Sequence, residues 1–154
     1  MCGIYGFTFS NKNLIRGMTK MSKFRGPDLT STYVNSRISL GHNLLHISGD
    51  SIESSAQPWI TRKGNVLLFN GEIYSYDGFD TGYLADMLDF HGISYLKNIN
   101  GAFAIAWYEP AKQEITLVRD HYGQKPLYYS FDHSLKFSSS LNSLPVALFK
   151  CEEG

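Results

Sequence analysis

Short strand-like segments come in runs along this chain, and few helical stretches interrupt them. Residues 4–9 alternate aliphatic and aromatic side chains with small ones. Residues 31–35, 37–45 and 65–69 follow as further short strands, the last closing on Asn70-Gly71. Four more succeed one another at 103–108, Glu114–Arg119, 127–131 and 134–137, with Pro110-Ala111-Lys112 and Asp132-His133 where hairpin turns are expected. Helical spacing is confined to 12–23, where Asn11 can cap and Leu14, Ile15, Met18 and Met21 recur, to 80–91, and to a short stretch over 141–149. Residues 49–59 are polar and irregular, so a loop is expected. Strands in runs with few helices predict an α+β layout of mainly antiparallel sheets, not a β-α-β-α alternation.

At 154 residues the chain is long enough for one domain with its own core. Fourteen basic and fourteen acidic side chains cancel, and no basic stripe stands out, which argues against nucleic-acid binding. Ten Tyr and ten Phe suit strands. No long apolar run or signal-like h-region is present, so no membrane span is expected. The two cysteines, Cys2 and Cys151, cannot build a disulfide framework, and a reducing, cytoplasmic setting is expected.

Cys2 is the chemically informative one. Removal of Met1 would leave it N-terminal, with thiol and α-amine on one residue. An α-amine of pKa ~8 is a usable base near neutral pH. A thiol needs such a base to become a good nucleophile. A cysteine near a terminus can also be a small buried hydrophobe.

Four segments then stand out together: Cys2-Gly3-Ile4, Arg25-Gly26-Pro27-Asp28, Asn70-Gly71-Glu72-Ile73-Tyr74, and the run from Arg119-Asp120-His121-Tyr122-Gly123 to Tyr128-Tyr129. Their order and spacing resemble the class II glutamine amidotransferase domain, most of all the glutaminase half of asparagine synthetase B-type enzymes. Leu40-Gly41-His42, Ala56-Gln57-Pro58, Asn100-Gly101-Ala102 and Phe137-Ser138-Ser139 fit the same pattern. The resemblance implies an N-terminal-nucleophile hydrolase fold, a four-layer αββα sandwich. It also implies hydrolysis of glutamine to glutamate and ammonia through a thioester on Cys2.

The resemblance assigns further roles. The Asn70 side-chain amide and the Gly71 backbone N–H would hold the oxyanion, and losing one such donor typically costs ~3–4 kcal/mol in the transition state. Asn70-Gly71 is by itself also the sequence of a hairpin turn. Glu72 and Asp80 would receive the substrate α-ammonium, with Ile47 lining the pocket. Asp80 is equally suited to capping a helix. The short stretch between Glu72 and Asp80 predicts a trimmed loop and an open pocket.

One position departs from the pattern. Where the family usually has an arginine for the substrate carboxylate, this chain has Leu44. Losing one partner of a desolvated charge pair costs ~2–5 kcal/mol. His42, His46, Arg37, Arg62 and Lys63 are the cations near enough in sequence to compensate. Otherwise the substrate lacks a free carboxylate, the glutaminase is weak, or the fold serves as a non-catalytic amino-acid-binding or scaffold module. Arg25 and Asp28 are expected to hold the turn beside Cys2, and Arg119, Asp120 and Lys125 to brace the last hairpins. The histidines lack metal-ligand spacing and no phosphate loop is present, so neither metal nor cofactor is expected. The expected organisation is a single glutamine amidotransferase domain over 1–154 without an ATP-using synthetase domain. The ammonia would then pass to a separate ATP-dependent synthetase or to a missing C-terminal domain.

Overall fold

Alternation along β1 (Gly3–Phe7) sets the layering. Ile4 points to one side, where it meets Leu40, Leu68, Ala104 and Phe137. Tyr5 and Phe7 point to the other, where they meet Ile15 and Met18. Every residue of β1 is buried, so both faces of its sheet are covered. A computed structural model describes residues 2–46, 56–77 and 80–141.

The remaining elements are α1 (Lys12–Met21), β2 (Leu29–Val34), β3 (Ser39–Leu44), β4 (Trp59–Ile60), β5 (Val66–Ile73), α2 (Asp80–His91), β6 (Gly101–Glu109), β7 (Glu114–Arg119), β8 (Tyr128–Phe131) and β9 (Leu135–Ser138). Short 3-10 turns occupy Lys23–Arg25 and Ile93–Asn98. The first sheet has the order β2-β3-β1-β9-β8 and the second β4-β5-β6-β7. All pairings are antiparallel. Val66 and Leu68 of β5 enter the layer between the sheets with Ile4 and Leu40. Leu67 and Phe69 turn outward onto Leu84, Ala85 and Leu88 of α2. The layers therefore run α1, first sheet, second sheet, α2, which is the expected four-layer α+β sandwich.

Local chemistry explains the helices. Asn11 caps α1, its side chain accepting from Leu14 N at 2.9 Å. Ile15 and Met18 form its buried stripe. In α2 the stripe is Leu84, Ala85 and Leu88, and Asp80 lies in the first turn, where a carboxylate favours the helix dipole.

Three features depart from expectation. β5 does not stop before Asn70-Gly71 but continues to Ile73, because β6 pairs with it along its whole length, from Val66↔Tyr108 to Ile73↔Gly101. Tertiary pairing overrides the turn preference of Asn-Gly. β4 is a two-residue strand at the end of the expected 49–59 loop. The 3-10 turn at Ile93–Asn98 lacks the periodicity that would reveal it. The helix expected over 141–149 lies, beyond Leu141, outside the described residues.

The segment after β7 is braced as expected. Asp120, 5% exposed, accepts backbone N–H bonds from Phe103, Tyr122, Gln124 and Lys125 at 3.0–3.2 Å. Arg119 donates to Lys125 O and Gly123 O at 2.7 and 2.9 Å. Burial pushes the Asp120 pKa up, but the four donors outweigh it and the net shift is downward. Between its folded and unfolded pKa the unfolded chain therefore binds more protons, so stability is lost as pH falls through that window. Replacing Asp120→Ala is expected to cost roughly 1.5–3 kcal/mol at neutral pH. Urea titrations should also show a shallower acid-side loss than in the wild type, and parallel pH profiles for the two proteins would contradict this role.

Candidate active site

β5 and β6 outrun their neighbours. β4 covers β5 only at Val66 and Leu67, and the β6–β7 pairing ends at Ala104↔Arg119. Beyond those points the backbone needs other partners.

Alternate residues of a strand direct their N–H and C=O groups to opposite edges. Phe103 turns its own toward the β7 side, where Asp120 N donates to Phe103 O at 2.8 Å and Asp120 Oδ2 accepts from Phe103 N. Phe103 faces Gly71, so Gly71 likewise turns away from β6. Phe69, Gly71 and Ile73 thus present their amides to the β4 edge. The Gln57 side chain takes both Phe69 groups, Oε1 accepting from N at 2.7 Å and Nε2 donating to O at 3.0 Å. Asp80 Oδ2 accepts from Ile73 N at 2.9 Å. The Gly71 N–H lies between these two clamps, facing the open edge.

Gly71 has to be glycine. Its φ is +155°, and a Cβ there would come within 2.0 Å of Ala102 O. The neighbouring side chain points into the layer between the sheets. Asn70 has the parity of Leu68, is 3% exposed, and leaves Nδ2 without a hydrogen-bond partner among the described residues. A buried donor in that state costs about 1–3 kcal/mol, so it calls for a functional account. Two adjacent donors, one side chain and one backbone, therefore stand without a partner near the end of β5 among the described residues.

The carboxylates gather at the same end. Glu72 is exposed, and Asp80 is half-buried at the start of α2. Burial raises the Asp80 pKa, the Ile73 N–H lowers it, the Glu72 charge raises it further, and the net shift is upward. Such a pair of like charges suits a cation between them.

Cys2 sits in the facing sheet, just before β1, and is half-buried. Its Sγ accepts from Leu45 N at 3.5 Å and contacts Leu45 O at 3.8 Å. β1 and β5 approach each other across the central layer, with Ile4 and Leu68 in one apolar cluster. Cys2 and Asn70 are each two residues from those contacts. The Arg25-to-Asp28 turn packs beside Cys2 as expected. Arg25 Nε donates to Cys2 O at 3.4 Å, Asp28 N donates to Leu44 O, and His46 N donates to Asp28 Oδ2 at 2.7 Å. An open groove lined by Arg25, Pro126, Tyr128, Ser139, Ser140 and Leu141 leads from there toward β8.

Leu44 is buried in β3, opposite Leu29. Of the five cations considered for its missing charge, His42 is fully buried, and burial drives its pKa down to about 3, leaving it neutral. Arg37 lies in the β2–β3 turn, at the far end of β3 from Leu44. Arg62 and Lys63 lie in the β4–β5 turn, before Val66 and remote from the Asn70 end, with Lys63 on Asp89 O. Only His46 stands at the Cys2 end of the first sheet. Ile47, the remaining expected substrate contact, and Cys151 lie outside the described residues.

The role of Gln57 was not legible beforehand beyond its place in Ala56-Gln57-Pro58. A single amide side chain between Ala and Pro-Trp carries no pattern that marks it. Ser139 was also missed as a tie. Its Oγ accepts from Ile4 N at 2.9 Å and anchors the strand that carries Cys2.

The comparisons with known proteins agree with this architecture. A family model described as "Glutamine amidotransferase domain" matches residues 1–92, and a second with the same description matches residues 77–146. The chain belongs to the glutamine amidotransferase domain family. Among curated relatives of this amidotransferase domain, "Asparagine synthetase [glutamine-hydrolyzing] 2" of Bacillus subtilis (strain 168) is 29% identical over 94% of this chain and 22% of its own length. "Asparagine synthetase B [glutamine-hydrolyzing]" of Escherichia coli (strain K12) is 28% identical over 86% of this chain and 27% of its own. The domain thus spans about a quarter of those relatives. The solved glutamine phosphoribosylpyrophosphate amidotransferase of B. subtilis superposes with a TM-score of 0.72 at 15% identity, covering 90% of this chain and 42% of that one. At that identity the likeness speaks for the fold, and it bears out the expected N-terminal-nucleophile hydrolase sandwich. Among the described residues, no helix of the amidotransferase domain is long and apolar enough to cross a membrane.

Gly71→Ala should lower the urea unfolding midpoint by the equivalent of roughly 1–3 kcal/mol, the usual cost of overpacking. An unchanged midpoint would show that β5 and β6 can separate to admit a methyl group.

Proposed function

We propose that residues 1–154 form one glutamine-hydrolysing amidotransferase domain that supplies ammonia for a synthetase reaction. The observation that carries this reading is the pair of open donors at Asn70 Nδ2 and Gly71 N–H. A buried amide without a partner beside a backbone N–H facing an open edge is what a developing oxyanion requires.

With Met1 removed, the Cys2 α-amine accepts the thiol proton, and sulfur attacks the glutamine side-chain carbonyl carbon. The carbonyl oxygen takes the negative charge and is held by Asn70 and Gly71. The C–N bond breaks, the proton passes to the leaving nitrogen, and ammonia departs from a thioester. Water then attacks the same carbon, the C–S bond breaks, and glutamate leaves with the thiol restored. Glu72 and Asp80 hold the substrate α-ammonium. Ile47 is assigned to the pocket wall on the resemblance alone.

Ammonia released to solvent is lost to the acceptor. An ATP-dependent synthetase, as a further domain or a separate partner, is therefore the destination we assign. A reducing cytoplasmic setting suits the free thiol. Buried Leu44 favours one variation on the substrate. An uncharged side chain at position 44 tolerates an amide whose α-carboxyl is blocked, and comparing glutamine with its carboxyl-blocked derivative separates the two.

Wild-type protein with Cys2 as its first residue should release ammonia from glutamine, and Cys2→Ala should release none. Equal release by both would sink the proposal. The raised Asp80 pKa should place the acid limb of kcat/KM above the ordinary aspartate range, because the carboxylate must be ionised to hold the ammonium. Glu72→Gln removes a charge that raises that pKa, so it should move the limb to lower pH while raising KM. A limb that stays in place would remove Asp80 from the substrate pocket.

A further inference from the structure

Gln57 lies outside the set of groups that would touch substrate, yet it is 4% exposed and every polar atom of its side-chain amide is engaged. Oε1 accepts from Phe69 N at 2.7 Å, while Nε2 donates to Phe69 O at 3.0 Å and to Thr81 Oγ1 at 3.3 Å. These bonds have a definite place in the sheet. β4 pairs Trp59 with Leu67 and Ile60 with Val66. Continuing that register would set Gln57 opposite Phe69, yet Phe69 N and O are met there by the Gln57 side chain and not by its backbone. The Gln57 side chain supplies the donor and acceptor instead, so it serves as the missing residue of the flanking strand.

The consequence falls on the next residues. Phe69 directly precedes Asn70 and Gly71. Four residues further on, Asp80 holds Ile73 N. Thr81, which Gln57 also reaches, is the residue after Asp80, so one buried amide joins the β5 edge to the first turn of α2. The stretch from Phe69 to Ile73 is thereby pinned at both ends, with the Gly71 N–H between. On the other edge β6 holds the same stretch through Asn70↔Ala104 and Glu72↔Ala102, which leaves the Gly71 amide groups to the β4 side.

We infer that Gln57 is a positioning residue for the oxyanion step: its side-chain amide stands in for a strand at Phe69 and so sets the direction of the Asn70 and Gly71 donors. This rests on the glutaminase reading above and adds to it a group that never meets the substrate. Donors that drift by about 1 Å lose transition-state contact and leave ground-state binding by Glu72 and Asp80 largely intact, at a cost of about 100-fold. The effect belongs on kcat and not on KM.

The test uses the full chain with Cys2 as its first residue. Glutamine-dependent ammonia release and urea unfolding are measured for wild type, Gln57→Leu and Gln57→Glu. Gln57→Leu should lower kcat about 10–100-fold with KM nearly unchanged, under conditions where unfolding curves show it folded. In Gln57→Glu the ionised carboxylate keeps the acceptor for Phe69 N but has no donor for Phe69 O. The protonated form has both, and burial raises the pKa of such a carboxyl. Its kcat relative to wild type should therefore rise from about pH 8 to about pH 6. Should Gln57→Leu fail to fold, the Gln57→Glu ratio decides alone. A folded Gln57→Leu with wild-type kcat, a loss confined to KM, or a flat Gln57→Glu ratio overturns the assignment while the glutaminase reading stands. A wild type that releases no ammonia overturns both.

Discussion

A strand pair that extends past its neighbours has to satisfy its exposed backbone groups by other means. That constraint organises this molecule. β5 and β6 remain paired to Ile73 and Gly101, after β4 and β7 have ended. Gln57 and Asp80 take groups on one flank, and Asp120 takes those on the other. Each clamp is a side chain fixed by tertiary contacts. The backbone between them is paired to β6 on its inner edge, and among the described residues the Gly71 N–H lies between the two clamps on its outer edge.

The charges follow from the same arrangement. Asp80 serves Ile73 N with one oxygen and keeps the other for a further partner, and its proximity to Glu72 makes a cation welcome there. His42, pressed between the sheets, is held neutral and cannot compete for an anion. The Asn70 end of β5 thus carries carboxylates and neutral donors, while Arg25 lies beside Cys2 on the facing sheet and His46 is the one of the five cations first considered that stands at that end.

Much of the fold was legible in the residues. Alternation gave β1, short strand-like runs with turn residues between them gave β3 and the closing hairpins, and Asn11 with Ile15 and Met18 gave α1. The four-layer arrangement came through the family resemblance, because alternation alone does not say that both faces of a sheet are covered. The candidate site was legible as residue identities, Cys2, Asn70, Gly71, Glu72 and Asp80, and not as geometry. β5 beyond Phe69 was misread because Asn-Gly satisfies a turn when considered locally. β4 was missed because two residues are too few for a period. Gln57 gave no warning of its importance, since a single buried amide has no pattern along the chain.

The sequence by itself determined which groups are available: a thiol at the second position, an amide followed by a residue without a Cβ, and carboxylates nearby. Those are properties of side-chain chemistry and of short-range spacing, which the chain carries before it folds. Only the tertiary structure decided which donors are left vacant and which are consumed. A hydrogen bond between Gln57 and Phe69 or between Phe103 and Asp120 joins residues 12 and 17 positions apart, and such separations close only once the strands of the second sheet have paired.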